Sequence, residues 1–395
     1  MSLLNIAFKA IFLVIFVGCA GTSLVKKDVK IEGELKDYPL INKKGFLFGK
    51  VKSIEKPLFE EVAKGNFKIE VPLLKQRPVR CTMKSKYSPP GLWISNFVDK
   101  LRKKSKRVGI RKVDAGVLNK WPYLYSEIVY SEKKTKSTGI IKVISLTKGE
   151  NSLLCLHTDL KKSKGLKRVV TDLITSFKTV NKYKGKFIRS HVDITSIKGS
   201  NVGFTYKEVY RNKKGNLVTL TRSSLIFPKR GVSLKGIYDI HIEVTDDKGT
   251  YLGGSYLGYE NLKRKYKMKV IPKEKNKYLV QGNVEGKKIK KSFELGGLLM
   301  TSVGQEKMFG SFNEKLKKGL VFYDYIPSMD PLKIYKSRLT HKGRDKEGLH
   351  LFDLNLNKTH FKLKVDKKGR PIFSSSKLGK FLIENRRIFS HSEKI

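Results

Sequence analysis

From Lys182 to the C-terminus, apolar and polar residues alternate in short runs, and helical spacing almost vanishes. Tyr238, Ile240, Ile242 and Val244 alternate with Asp239, His241, Glu243 and Thr245, the period of two that a half-buried strand produces. Runs of the same kind occupy Val202–Tyr210, Leu217–Phe227, Tyr251–Tyr259, Tyr266–Ile271, Leu320–Tyr325, Ile334–Leu339, Leu349–Leu356 and His360–Val365. Asn212-Lys-Lys-Gly215, Asp246-Asp-Lys-Gly249 and Asp366-Lys-Lys-Gly369 stand between runs. In each, Asn or Asp opens a turn and glycine supplies the positive φ that closes it. The glycines of Gly249–Gly258 interleave with Tyr251, Leu252, Tyr256 and Leu257, which reads as a strand with a bulge. Leu378–Phe389 fits a terminal helix or a terminal strand. Residues 182–395 are therefore expected to form an antiparallel β domain, either a curved sheet or an open barrel.

The pattern in residues 46–181 is mixed. A first strand is expected around Gly45–Lys52, and Phe67, Ile69 and Val71 alternate until Pro72 ends the run. Pro89-Pro90-Gly91 breaks the chain, after which Ile94, Phe97, Val98 and Leu101 recur at helical spacing. Strand-like stretches follow at Tyr123–Tyr130, Gly139–Leu146 and Leu153–His157. Then Leu166, Val169, Val170, Leu173, Ile174 and Phe177 form one continuous helical stripe. Helices packed on an antiparallel sheet are expected here, so the whole chain reads as α+β.

Residues 66–180 resemble the small α/β/α domain of the PsbP family. The likeness lies in the Asn66–Pro72 strand, the Lys148-Gly-Glu-Asn-Ser-Leu-Leu-Cys-Leu-His157 strand and the closing helix that runs into Ser176-Phe177. It implies an α/β/α sandwich-like domain with the role of most of that group, a non-catalytic accessory or binding module. The long-stranded C-terminal half resembles the half-barrel domains of envelope lipoproteins and of the LolA and LolB lipid carriers, through strand spacing alone.

The N-terminus begins MSLLNIAFKAIFLVIFVGCAG. Lys9 and the α-amino group precede an apolar run from Ala10 to Val17, too short for a membrane span of about 20 residues. Phe16-Val17-Gly18-Cys19 resembles the bacterial lipobox, with Phe16 where that family prefers Leu. The resemblance implies cleavage before Cys19, acylation of its sulfur and new amine, and a firm anchor from more than one acyl chain. Residues 1–18 are then a signal peptide and 19–45 a lipidated cysteine with its tether. Ala20-Gly21 after the cysteine, with no Asp, resembles the signal for passage to the outer membrane, facing the periplasm. Gly18 and Ala20 also satisfy the small-x-small rule for ordinary secretion, which would discard Cys19.

Charge is the compositional oddity: 84 Lys+Arg oppose 35 Asp+Glu, a formal +49. Of these, 68 are Lys and 16 Arg. Lysine is a hydrated point charge, whereas Arg carries the planar fork that reads phosphates and bases. The balance points to a solvated positive surface, or to one drawn to anionic lipid or lipopolysaccharide, and away from nucleic acid. The densest patch is Lys100, Arg102, Lys103, Lys104, Lys106 and Arg107 at the end of the first expected helix. Cations there favour the helix terminus and would also favour an anionic surface.

Candidate chemistry is sparse. Cys81 and Cys155 can form a disulfide beyond the inner membrane, or be two small buried hydrophobes. Cys155 and His157 share a strand face, as a nucleophilic thiolate and its base would, although Leu153, Leu154 and Leu156 mark that strand as core. Asp239, His241 and Glu243 could ligate a metal only with help from another strand, through His341, His350 or His360, because alternate residues lie about 7 Å apart. A polar outer sheet face explains the same three residues. No Gly-x-Ser-x-Gly elbow, phosphate loop, His-Glu-x-x-His or Cys-x-x-Cys pair occurs, so no cofactor or metal is expected. The sequence is read as a non-enzymatic, membrane-anchored envelope lipoprotein that binds an apolar ligand or an envelope protein partner. The alternatives are an envelope hydrolase or thiol enzyme using Cys155 and His157, and a polyanion-binding module.

Overall fold

The computed structural model describes residues 34–41, 47–74, 76–133, 137–158, 164–177, 185–229, 231–274, 276–310, 318–357, 359–379 and 381–392. The expected signal segment and Cys19 lie outside them. Two compact units are present: Ala10–Lys182 with Leu225–Gly236, and a second built on Tyr183–Ser224 and Ile237–Ile395.

In the first unit, β1 (Lys36–Ile41) and β2 (Leu47–Ser53) form a two-stranded ribbon. Seven further strands are β3 (Leu58–Ala63), β4 (Asn66–Leu73), β5 (Gln76–Lys84), β6 (Ser105–Leu118), β7 (Trp121–Glu132), β8 (Thr138–Lys148) and β9 (Asn151–Thr158). They form one antiparallel sheet in the order β3-β4-β5-β9-β8-β7-β6. Helix α1 (Pro90–Lys104) starts with proline in its first turn, where a missing N–H costs nothing. Helix α2 (Lys164–Ser176) buries the stripe Leu166, Val169, Val170, Leu173 and Ile174 against Phe67, Ile69, Cys81 and Leu153. Each such side chain contributes roughly 1.5–3 kcal/mol on burial. Leu40 of β1 and Val51 of β2 enter the same core.

The expected α+β class, with an α/β/α sandwich at residues 46–181, is overturned. Strands hold 66% of the described residues and helices 11%, so the protein is mostly β. Two short helices do not make the layers of a sandwich, and the β1–β2 ribbon supplies part of the core that a helical layer would. Two local readings change with it. The stretch Lys148–His157 is not one strand but the turn and second arm of the β8–β9 hairpin, bent at Gly149 with φ of +56°. The expected tether contains β1, whose Pro39 is tolerated because β1 pairs with β2 alone.

The large second sheet carries β10 (Lys186–Ile197), β11 (Ser200–Arg211), β12 (Leu217–Lys229), β13 (Ser233–Thr245), β14 (Tyr251–Glu260), β15 (Lys263–Pro272), β16 (Lys277–Val284) and β17 (Lys287–Glu294). After helix α3 (Ser302–Gly310) come β18 (Leu320–Asp324), β19 (Tyr335–Arg344), β20 (His350–Leu356), β21 (Thr359–Val365), β22 (Pro371–Leu378) and β23 (Phe381–Ser392). The sheet runs β17-β16-β15-β14-β13-β12-β11-β10-β23-β22-β21-β20-β19-β18, so the last strand pairs with β10 and the edges are β17 and β18. Leu378–Phe389 therefore resolves mainly as strand. The bulge in the glycine-rich run falls at Leu252, where the β13–β14 register slips between Val244–Gly253 and Thr245–Tyr251.

The sheet curls around α3, which touches strands far apart in the order. Val303 packs with Val209 and Leu217, Phe309 lies 5.0 Å from the Phe352 ring, and Gln305 Nε2 donates to Asp324 Oδ1 at 3.2 Å. Near the sheet edges, Tyr256 of β14 meets Tyr325 edge-on at 5.0 Å, and Leu299 bridges Tyr323. Two of the Asp-x-x-Gly turns hold the helix. A Cβ on Gly249 would lie 2.8 Å from Gly304 Cα, and one on Gly369 would lie 2.1 Å from the Glu306 carbonyl oxygen. Both glycines also have positive φ, +86° and +76°. Gly369→Ala is accordingly expected to destabilise the protein by about 2–4 kcal/mol, through strain and a displaced α3. Urea unfolding of the variant checks this. Wild-type stability would show that α3 is not held by the turn.

Candidate functional site

The face of β10–β13 that looks onto α3 is lined with ionisable side chains. Alternation places Arg189, His191 and Asp193 of β10 on it, opposite Val209, Lys207 and Thr205 of β11. Thr205 Oγ1 and Ser223 Oγ lie 3.0 Å apart, which brings β12 onto the same face with Thr219 and Thr221. From β13 come Asp239, His241, Glu243 and Thr245, and from β23 comes Arg387, whose Nε donates to Asp193 Oδ1 at 3.0 Å.

Partners answer several of these charges. Arg189 pairs with Glu306 of α3. The Ser302 backbone N–H at the start of α3 donates to Glu243 Oε2 at 3.2 Å, a carboxylate at a helix N-terminus. The Tyr266 hydroxyl donates to Asp239 Oδ1 at 2.5 Å. Glycine makes that bond possible: Gly258 faces Asp239 across the strand pair, and a Cβ there would meet the Tyr266 ring at 2.3 Å. Asp324 accepts from Ser337 Oγ at 2.6 Å and from Gln305.

Burial dominates the electrostatics. It pushes Asp239 up to about 6 against the Tyr266 hydrogen bond, and Asp324 up to about 7 against those from Ser337 and Gln305. It raises Glu243 as well, although Ser302 and Lys207 oppose the rise. His241 is pushed down to about 4 by burial. Burial also lowers His191, with Asp193 pulling the other way. Asp193 stays below the usual carboxylate range: burial opposes this, but His191 and Arg387 outweigh it.

Besides His191 Nε2, which lies 3.4 Å from Asp193 Oδ2, four buried polar atoms on this face have no hydrogen-bond partner among the described residues: Arg189 Nε, Thr219 Oγ1, His241 Nε2 and Thr245 Oγ1. A buried polar atom left unpaired costs about 1–3 kcal/mol, so four on one face mark it as built to meet something polar. The middle of the concave face is therefore a half-buried polar recess, with Asp239, His241 and Glu243 each partly exposed. Apolar side chains fill its flanks. Tyr256, Tyr266, Met268 and Val280 cluster toward β17, and Phe309, Phe322, Phe352 and Leu363 cluster toward β18.

The residues singled out by sequence are distributed as follows. Asp239, His241 and Glu243 do share a face, but it is the concave one facing α3 and not a polar outer face. His341 and His350 pair with each other at 3.2 Å, and His360 sits 3.5 Å from Asp353. Among the described residues no three His, Cys, Asp or Glu are grouped to hold a metal. Cys81 and Cys155 stand directly opposite on β5 and β9 and are joined in a disulfide. The Cys155 sulfur then has no thiolate to offer, and His157 beside it is fully buried. Lys100, Arg102, Lys103, Lys104, Lys106 and Arg107 are all exposed, around the last turn of α1 and the start of β6. Sequence reasoning missed Arg189, His191, Asp193, Lys207, Arg387 and Glu306. Of these only Lys207 lies in a run that reads as a strand; β10 and α3 do not read as elements, and Arg387 lies in the terminal segment that fits either helix or strand.

Fold and site together define a mostly β protein whose antiparallel sheet curls around a short helix beside a half-buried polar recess. No family model matches the chain, and no curated protein matches it. Among solved structures it is similar to a β-barrel-like protein of a domain family of unknown function from Brucella abortus. That likeness has 10% identity and a TM-score of 0.41, over 53% of this chain and 100% of the other.

The perturbed carboxyls set a pH dependence. From about pH 4 up to about 6 for Asp239 and about 7 for Asp324, the folded protein keeps protons that the unfolded chain has released, and Glu243 is shifted in the same direction. These groups therefore lower stability as pH rises through that window. His241 has the opposite sign, because the fold refuses its proton until about pH 4. In Asp324→Asn, the fall in unfolding free energy between pH 4.5 and 8 should shrink by up to about 3 kcal/mol, at ~1.4 kcal/mol per unit. Urea titrations at both pH values measure it. Equal falls in variant and wild type would contradict the assignment.

Proposed function

We propose that the chain is a non-catalytic binding protein of the bacterial cell envelope. Acyl chains on Cys19 anchor it, at the outer membrane and facing the periplasm, and its C-terminal sheet takes a polar ligand or the polar segment of a protein partner. The observation that carries the binding role is the set of unpartnered polar atoms at Arg189, Thr219, His241 and Thr245, on one half-buried face beside ionisable groups. The polar lining moves the expected ligand from apolar to polar, since the apolar parts of the concave face are packed by its own side chains. The disulfide supports the non-catalytic side of the reading, because a thiol enzyme would need a free Cys155. It also suits an oxidising compartment outside the cytoplasm. No helix among the described residues is long and apolar enough to cross a membrane. Anchoring in this reading falls to the lipobox.

Two measurements test the parts separately. Palmitate labelling with membrane fractionation should mark and sediment wild type, and do neither for Cys19→Ser; an unlabelled wild-type protein removes the anchor. Native mass spectrometry of protein isolated from its own cells should show a bound polar species. The triple variant Thr219→Val, His241→Leu, Thr245→Val should lose it. Retention of the same species by a folded triple variant would place the ligand elsewhere.

A further inference from the structure

The outer face of β15–β17, opposite the Tyr266, Met268 and Val280 side, carries a second feature. Cross-strand register sets two rows side by side: Lys267–Asn283–Lys288 and Lys269–Gln281–Lys290. Each row spans three strands, with a lysine at either end and an amide between. Strand geometry puts the row ends roughly 10 Å apart and the rows about 7 Å apart. These six residues, with Gly282 and Ile289, line an open hollow of about 510 Å³. Gly282 lets β15 and β16 approach beneath it, since a Cβ there would lie 2.0 Å from the Lys267 carbonyl oxygen.

The charge is unopposed. No carboxylate lines the hollow, and all four lysines are exposed. The nearby acids are engaged elsewhere: Glu285 pairs with Lys265 at 2.7 Å and Glu274 with Lys277 at 3.0 Å. Lysine on an edge strand discourages strand pairing, which accounts for β17 but not for Lys267 and Lys269 on the inner strand β15. Four ammonium groups around two amides match phosphate oxygens, which accept from both donor types. An extended anionic surface can fill an open, shallow hollow of this kind, where a small solute would stay largely in water.

We propose that this lysine-rimmed hollow docks the C-terminal unit onto the phosphate groups of an anionic lipid surface. The site is independent of the concave recess and of the acyl anchor. The test is sedimentation of the mature chain carrying Cys19→Ser, so that no acyl chain contributes. The vesicles are phosphatidylcholine alone, or phosphatidylcholine with 30% phosphatidylglycerol. Each lysine near such a surface is worth about fivefold in partitioning. Replacing Lys267, Lys269, Lys288 and Lys290 by Gln should weaken binding to the acidic vesicles by several hundredfold, with unchanged thermal unfolding. A control replaces Lys213, Lys214, Lys346 and Lys367, exposed turn residues elsewhere in the unit, and should weaken it less than tenfold. Equal losses in the two variants would overturn the proposal, reducing the effect to net charge. So would tight binding of soluble pyrophosphate at the hollow without binding to vesicles, or equal binding to neutral and acidic vesicles.

Discussion

Ionisable side chains half-buried on the inside of a curled sheet set the terms for the C-terminal unit. A buried charge is tolerated only when paired or neutralised. Asp193 has His191 and Arg387, Arg189 has Glu306, and Glu243 has the start of α3, whereas Asp239 and Asp324 shift toward their neutral forms. Helix α3 is therefore part of the electrostatic solution as well as of the packing. Without it, Arg189 and Glu243 would each lose a partner. The short helix needs the sheet in return, since nine residues are too few to be stable alone.

Much of the strand pattern was legible in the sequence, because alternation and Asx–Gly turns are local. Val202–Tyr210 falls within β11, Leu217–Phe227 within β12, and the Leu166–Phe177 stripe marks α2. What depended on long-range closure was not legible. Ser302–Gly310 contains two glycines and no apolar stripe, and its helicity comes from Val209, Leu217, Phe352 and the two glycine turns around it. The same closure explains the site. Asp239, His241 and Glu243 show the alternation of a solvated face, and only the curl of the sheet over α3 turns that face inward. The α/β/α expectation failed for a related reason: two amphipathic helices were read as layers, whereas the residues between them are nearly all strand.

In the first unit, α2 and the β1–β2 ribbon close a core that contains the Cys81–Cys155 disulfide. A covalent link between adjacent strands 74 residues apart in sequence limits the unfolded chain. With 84 basic residues, the surface is dominated by positive charge. The anionic partners this favours would meet different lysine groups in different units: Lys100–Arg107 in the first, and the hollow on β15–β17 in the second. The polar recess is a separate device, inward-facing and built from opposed charges. The proposed binding role thus involves two surfaces of contrasting chemistry, one half-buried and mixed in sign, the other open and uniformly cationic.

The most direct measurement of the central claim is the NMR titration of His241, assigned by its loss in His241→Gln. An imidazole held in a water-poor recess should stay neutral down to about pH 4. A midpoint near the ordinary 6.5 would mean that water reaches it freely, and the half-buried polar recess would not exist.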